Sequence, residues 1–152
     1  MAAAQNLNEI AMLIQLLEHQ RALYRRLRQL ADRQQTLVLA DDHQPLLELL
    51  AERQRLVDAL VSLSARMAPI RERYVEISAG MDASTQQNVA ELVREANDSL
   101  SAILQNDARD TATLNARREQ TSQQLTALNN AGRVGAAYRA TARQAVLADA
   151  EA

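Results

Sequence analysis

The chain has 152 residues, a net charge of −2 and 47% hydrophobic residues, with no Cys, Trp or Phe and no Lys among its 17 basic residues. That length suits a single domain, 1–152, and the lack of Cys excludes disulfides and thiolate metal sites. The slight acidity argues against nucleic acid as the main partner, and the absence of a basic leader or an apolar run of roughly 18 residues argues against secretion and stable membrane insertion, leaving a cytoplasmic protein as the expectation.

Three Gly and two Pro leave few places to stop a helix, while Leu, Ala, Gln, Arg and Glu abound, so the fold class is all-α. The first helix is placed at 6–39, with Asn6 as cap ahead of Glu9. Its apolar face collects Leu7, Ile10, Leu13, Leu16, Leu17, Leu23, Tyr24, Leu27, Leu30, Ala31, Leu37 and Val38. Leu16, Leu23, Leu30 and Leu37 recur every seven residues, as in a leucine zipper. Ile10, Leu13, Leu17 and Leu27 widen the stripe beyond a two-stranded seam, which favours a helix inside a bundle. Arg21, Arg25, Arg26, Arg28 and Arg33 read as a solvated face, because no aromatic residues interleave with them. Glu48 and Glu52 are placed to meet Arg33 and Arg28 across the next turn.

Ala40 to Pro45 forms a short turn in which Asp41 or Asp42 can cap a second helix, 42–78. Along it Leu46, Leu49, Leu56, Leu60, Leu63, Met67, Ile70, Tyr74 and Ile77 follow a 3,4 spacing, and only Arg53 places a charge in the seam. Arg53 is expected to snorkel to the edge, with a buried ion pair as the alternative. Pro69 should bend this helix near Ala65 or Arg66 without ending it. So short a turn makes the two helices an antiparallel hairpin of roughly 50 Å.

Gly80 is the expected stop of the second helix, and Ser84 with Gln87 the expected capping box of a third, 84–130. That helix begins with Val89, Leu92, Val93, Ala96, Leu100, Ile103 and Leu104. After Gln105 the pattern thins to Leu114, Leu125 and Leu128 among charged and polar residues, Asp107 and Asp110 included. Its first half can complete an elongated three-helix bundle or coiled coil with the hairpin; its second half buries too little to be held by the same core. Residues 131–152 read as a flexible or weakly helical tail.

Catalytic constellations are missing. His19 and His43 fall about 35 Å apart on helix geometry, no Glu-x-x-His pair occurs, and no Ser sits in a nucleophile elbow. Neither an enzyme nor a bound metal or cofactor is expected.

Three blocks resemble the FlgN family of flagellar export chaperones. They are Leu16-Leu17-Glu18 with Gln20 and Leu23-Tyr24; Leu37 to Asp41 followed by Leu46 to Gln54; and Leu114-Asn115, Leu125, Leu128 and Ala136-Ala137-Tyr138. After Tyr138 the chain reads Arg-Ala-Thr-Ala-Arg where the family often has Gly and Pro. The resemblance implies a cytoplasmic chaperone for hook-associated (hook-filament junction) proteins that prevents their premature assembly and delivers them to the type III export apparatus. It places partner contact on the C-terminal helix, at Leu114, Asn115, Leu125, Leu128 and Tyr138. The alternative is a structural coiled-coil module that forms a homo-oligomer, such as a homodimer through Leu16, Leu23 and Leu30.

Overall fold

The computed structural model describes residues 2–40 and 42–151, and among them it is all-α. Four helices follow in order: α1 (Ala2–Ala40), α2 (His43–Glu72), α3 (Tyr74–Ala79) and α4 (Ala83–Glu151). The chain divides into two units, Met1–Thr111 and Ala112–Ala152.

In the first unit α1 is joined to α2 by the pairs Arg26–Glu52 and Gln34–Arg53, and to the residue after α2 by Glu9–Arg73. The core draws Ile10, Leu13, Leu16 and Leu17 from α1, and Leu63, Met67 and Ile70 from α2. Ile77 of α3, Met81, and Val89 and Leu92 of α4 complete it. Each such side chain contributes roughly 1.5–3 kcal/mol when fully buried. The sevenfold leucines of α1 are therefore used within the chain: Leu16 and Leu30 are buried and Leu23 half-buried. At the margins burial stops short of the pattern, for Leu7 and Tyr74 stay 64% and 42% exposed.

Several ends differ from the sequence reading. Asn6 lies inside α1, which the alanines before it extend to Ala2. Asp42 occupies the N-cap of α2 in extended conformation but makes no side-chain cap bond, and Asp41 lies outside the described residues. Glu52 pairs with Arg26, not Arg28, at 2.6 Å. Pro69 lies inside α2, and the interruption comes at Arg73, whose N–H donates to the Ile70 carbonyl at 3.2 Å. The proline has no N–H for Ala65, and one turn later the chain closes on a tight i→i+3 bond. A new start follows at α3, where the Ile77 N–H reaches the Arg73 carbonyl at 3.0 Å. The ladder passes through the interruption, since Met67, Ile70 and Ile77 are all buried. Gly80 does close α3, with an ordinary right-handed φ of −87°.

The start of α4 is a correction. Helix begins at Ala83, and Asp82 caps it by accepting the Thr85 N–H on Oδ1 at 2.7 Å, in place of a Ser84–Gln87 box. Those hydrogen bonds from Thr85 hold the Asp82 carboxyl below its usual range. A lowered folded-state pKa adds stability above the unfolded value of about 3.9, and that stability is lost as pH falls through the folded value. Asp82→Ala is therefore expected to melt below the parent at neutral pH, with the gap closing in acid; thermal unfolding across pH 2–7 checks this.

In the second unit helix continues from Ala112 to Glu151, through the expected stop at 130 and into the stretch expected to be a flexible or weakly helical tail. Ala, Arg and Gln outweigh Gly132 and Gly135, each costing about 1 kcal/mol against Ala. From 112 to 143 every side chain is exposed except Thr113, Arg117 and Gly135, which are intermediate. Local bonds such as Thr126 to the Ser122 carbonyl and Thr141 to the Ala137 carbonyl, both 3.0 Å, accompany the helix there.

Candidate functional site

Two places distinguish themselves from the apolar core, and one of them is a polar cluster within the first unit. Three seams carry a polar residue where the 3,4 spacing calls for an apolar one. In α1 the run Leu13, Leu16, Gln20, Leu23, Leu27, Leu30 brings the next position to Gln34. In α2 the ladder places Arg53 between Leu49 and Leu56. In α4 the run Val89, Leu92, Ala96, Ser99, Ile103, Asn106 leads to Asp110. The three meet. Gln34, 7% exposed, donates from Nε2 to Asp110 Oδ2 at 2.9 Å, and Asp110 is 3% exposed. Arg53 donates to Gln34 Oε1 at 2.8 Å and to Asp107 Oδ1 at 2.6 Å, with a second bond to Asp107 Oδ2. The hydrogen bonds to Asp107 move the Arg53 pKa above the ordinary arginine range, so the guanidinium stays charged.

Arg53 is thus an ion pair within the seam and not a snorkelling edge residue. Of the two acids counted among the polar residues after Gln105, Asp110 is buried and Asp107 half-buried. The weakly anchored stretch consequently begins at Ala112, not Asn106. Continuing the α4 spacing past Ile103 is the signal that reaches Asp110; the sequence reading stopped at the break in apolar character. Chemically the cluster is a register pin. A slip of any helix by one turn would leave Asp110 or the Arg53 guanidinium without a partner. No group of three or more His, Asp or Glu that could hold a metal occurs among the described residues.

The second place is the exposed part of α4 in Ala112–Ala152. Leu114, Leu125 and Leu128 are 45%, 57% and 69% exposed, and Tyr138 is 78% exposed. At about 100° per residue, Leu125 lies about 20° from Leu114 and Leu128 about 40° to its other side. The helix therefore brings these three onto one face. It does not bring the other two expected contact residues there: exposed Asn115 is turned by about 100° and Tyr138 by about 120° from Leu114. Tyr138 shares its side instead with Val134, 70% exposed and one turn earlier, which the sequence reading passed over. The i,i+4 spacing of the two was the available signal. Isolated exposed apolar residues are ordinary, whereas here three of them share one face of a helix whose side chains are nearly all exposed.

In the first unit a groove of about 730 Å³ has Leu13, Leu17, Met67 and Val89 among its lining and Tyr24 and Tyr74 beside them. Gln20, Arg71, Arg94 and Asp98 add polar and charged groups to the same lining. No described helix is long and apolar enough to cross a membrane. Comparison with protein-family models, curated proteins and solved structures returns no match for this chain.

Proposed function

We propose that the protein is a cytoplasmic export chaperone of the FlgN kind. In this reading Met1–Thr111 is the scaffold, an antiparallel hairpin of α1 and α2 completed by the start of α4 as a third helix. The partner is the amphipathic terminal helix of a hook-associated flagellar protein, kept from premature assembly and handed to the export apparatus. It docks on the face of Leu114, Leu125 and Leu128. The observation that carries the reading is that these leucines stand on a helix in water, whereas Leu30, Ile77 and Val89 of the first unit are at most 2% exposed. A helix so placed gains apolar burial only from another molecule.

Co-expression with a hook-associated protein's terminal helix, followed by gel filtration, tests it. The full chain is expected to co-elute with that helix, and a chain ended after Thr111 to elute alone while retaining its helical circular dichroism. An undiminished complex with the shortened chain sinks the assignment of the face.

A second reading, a coiled-coil module forming a homo-oligomer, is favoured by one observation. On α2 the exposed residues Leu47, Leu50, Val57 and Val61 keep a 3,4-type spacing on the side away from the seam. Leu16 and Leu30 do not serve it, being buried within the chain. Light scattering separates the two readings: a dimer lost in Leu50→Glu/Val61→Glu supports the second.

A further inference from the structure

We propose that the leucine face of residues 112–143 is built for an acidic amphipathic helix of a partner protein, selected by the arginines that share the leucines' side of the helix. The inference rests on the reading of that face as a partner site and adds the chemistry of what it takes. The slight net charge of the whole chain conceals an opposition. Residues 1–111 carry 16 acidic and 12 basic residues, whereas residues 112–152 carry three acidic and five basic. Within 112–143 the only acid is Glu119, against Arg117, Arg118, Arg133, Arg139 and Arg143.

Their placement matters more than their number. In a solvated surface helix the charges stand opposite the apolar stripe. Here, counting about 100° per residue from Leu114, Arg143 lies at about 20°, Arg118 at about 40° and Arg139 about 20° to the other side. Arg117 and Arg133 flank them at about 60° and 100° on the two sides, while Glu119 is turned away by about 140°. The leucines therefore share their side of the helix with Arg118 before Leu125 and with Arg139 and Arg143, which follow Leu128 by about 17 and 23 Å along the axis.

Spacing identifies the occupant as a helix. Leu114, Arg118, Thr121, Leu125 and Leu128 follow the 4,3,4,3 steps of a coiled-coil seam, with Arg118 in a core position. The first unit shows what such a position requires: Arg53 stands in the α2 seam and is answered by Asp107 from the facing helix. Arg118 calls for the same answer from across the interface. A phosphate backbone offers nothing to three leucines that share a face with the arginines. A membrane surface is met by a wide apolar face with aromatic residues, whereas Tyr138 and Val134 are turned to the other side.

Two designed helical peptides sharing one leucine seam test this, one with Glu and one with Lys at the core and flanking positions. Binding to the full-length protein is read by fluorescence anisotropy. At 0.1 M salt the Glu peptide is expected to bind about tenfold tighter, and the difference to collapse at 1 M, where charges are screened beyond about 3 Å. Arg118→Glu/Arg143→Glu should reverse the order, and Leu125→Ala/Leu128→Ala should weaken both peptides. Equal affinities, binding of neither peptide, or an unreversed preference in the arginine variant overturns the proposal. So does tighter binding of duplex DNA or of phosphatidylserine vesicles than of the Glu peptide. A hook-associated terminal helix that fails to bind a chain that does prefer the Glu peptide counts against the export reading and leaves this one standing.

Discussion

Arg53→Leu is expected to lower the free energy of unfolding by about 2–3 kcal/mol, measured as the midpoint shift in urea at constant slope. The substitution deletes both bonds to Asp107 and the bond to Gln34, leaving a carboxylate and an amide oxygen without donors. A fully buried pair loses roughly 3–5 kcal/mol on such a change. The smaller figure follows from the 18% and 32% side-chain exposure of Arg53 and Asp107, which lets water repair part of the loss. The corresponding drop in melting temperature is about 5–10 °C for a chain of this size. Arg53→Leu/Asp107→Leu should recover much of it, because neither charge is then stranded and Asp110 keeps its bond from Gln34. An unchanged midpoint in the single variant would mean that the cluster does not hold the three helices in register.

Leu125→Asp/Leu128→Asp is expected to do the opposite. Both side chains are more than half exposed, so the free protein should unfold within about 0.5 kcal/mol of the parent. Complex formation with the terminal helix should fall by at least about 100-fold, since two anchors in the centre of a helix-in-groove contact become charges facing apolar surface. Paired calorimetric titration and urea unfolding distinguish this from misfolding. Full binding by the double variant would place the partner elsewhere, with the groove beside Tyr24 and Tyr74 the next surface to mutate.

The scaffold was legible because its signal is periodic. Where Leu, Ile and Met fill the 3,4 positions of the α2 ladder they are withdrawn from solvent, fully at Leu49, Leu63, Met67 and Ile70 and partly at Leu46, Leu56 and Leu60. Legibility failed where the spacing continued but the chemistry changed. Gln34, Ser99 and Asp110 are each at most 7% exposed at seam positions. Hydrophobicity counts assign such residues to solvent, and for Gln34 and Asp110 their mutual hydrogen bond compensates for desolvation. Val93, Leu100 and Leu104 err the other way, at 42%, 41% and 58% exposed. They continue the apolar pattern of α4 but lie to one side of the seam through Val89, Leu92 and Ile103. The Asp82 cap was hidden by a competing motif two residues on. In the candidate site the three leucines could be picked out as an apolar minority, but their shared face requires an unbroken helix past Gly132 and Gly135 only for Tyr138, whose position then turns out to be off that face.

The exposure of residues 112–143 also gives the protein a built-in record of occupancy. A helix wetted on nearly all sides opens locally at little free energy, so its amide protons should exchange with deuterium far faster than those around Leu30 or Ile77, which are released only by unfolding the core. Its five arginines make the same stretch the natural target of trypsin. Any molecule that settles on the leucine face must slow both clocks there and leave those of the first unit untouched. Exchange rates on this one helix therefore report whether a molecule sits on that face, before the molecule itself has been identified.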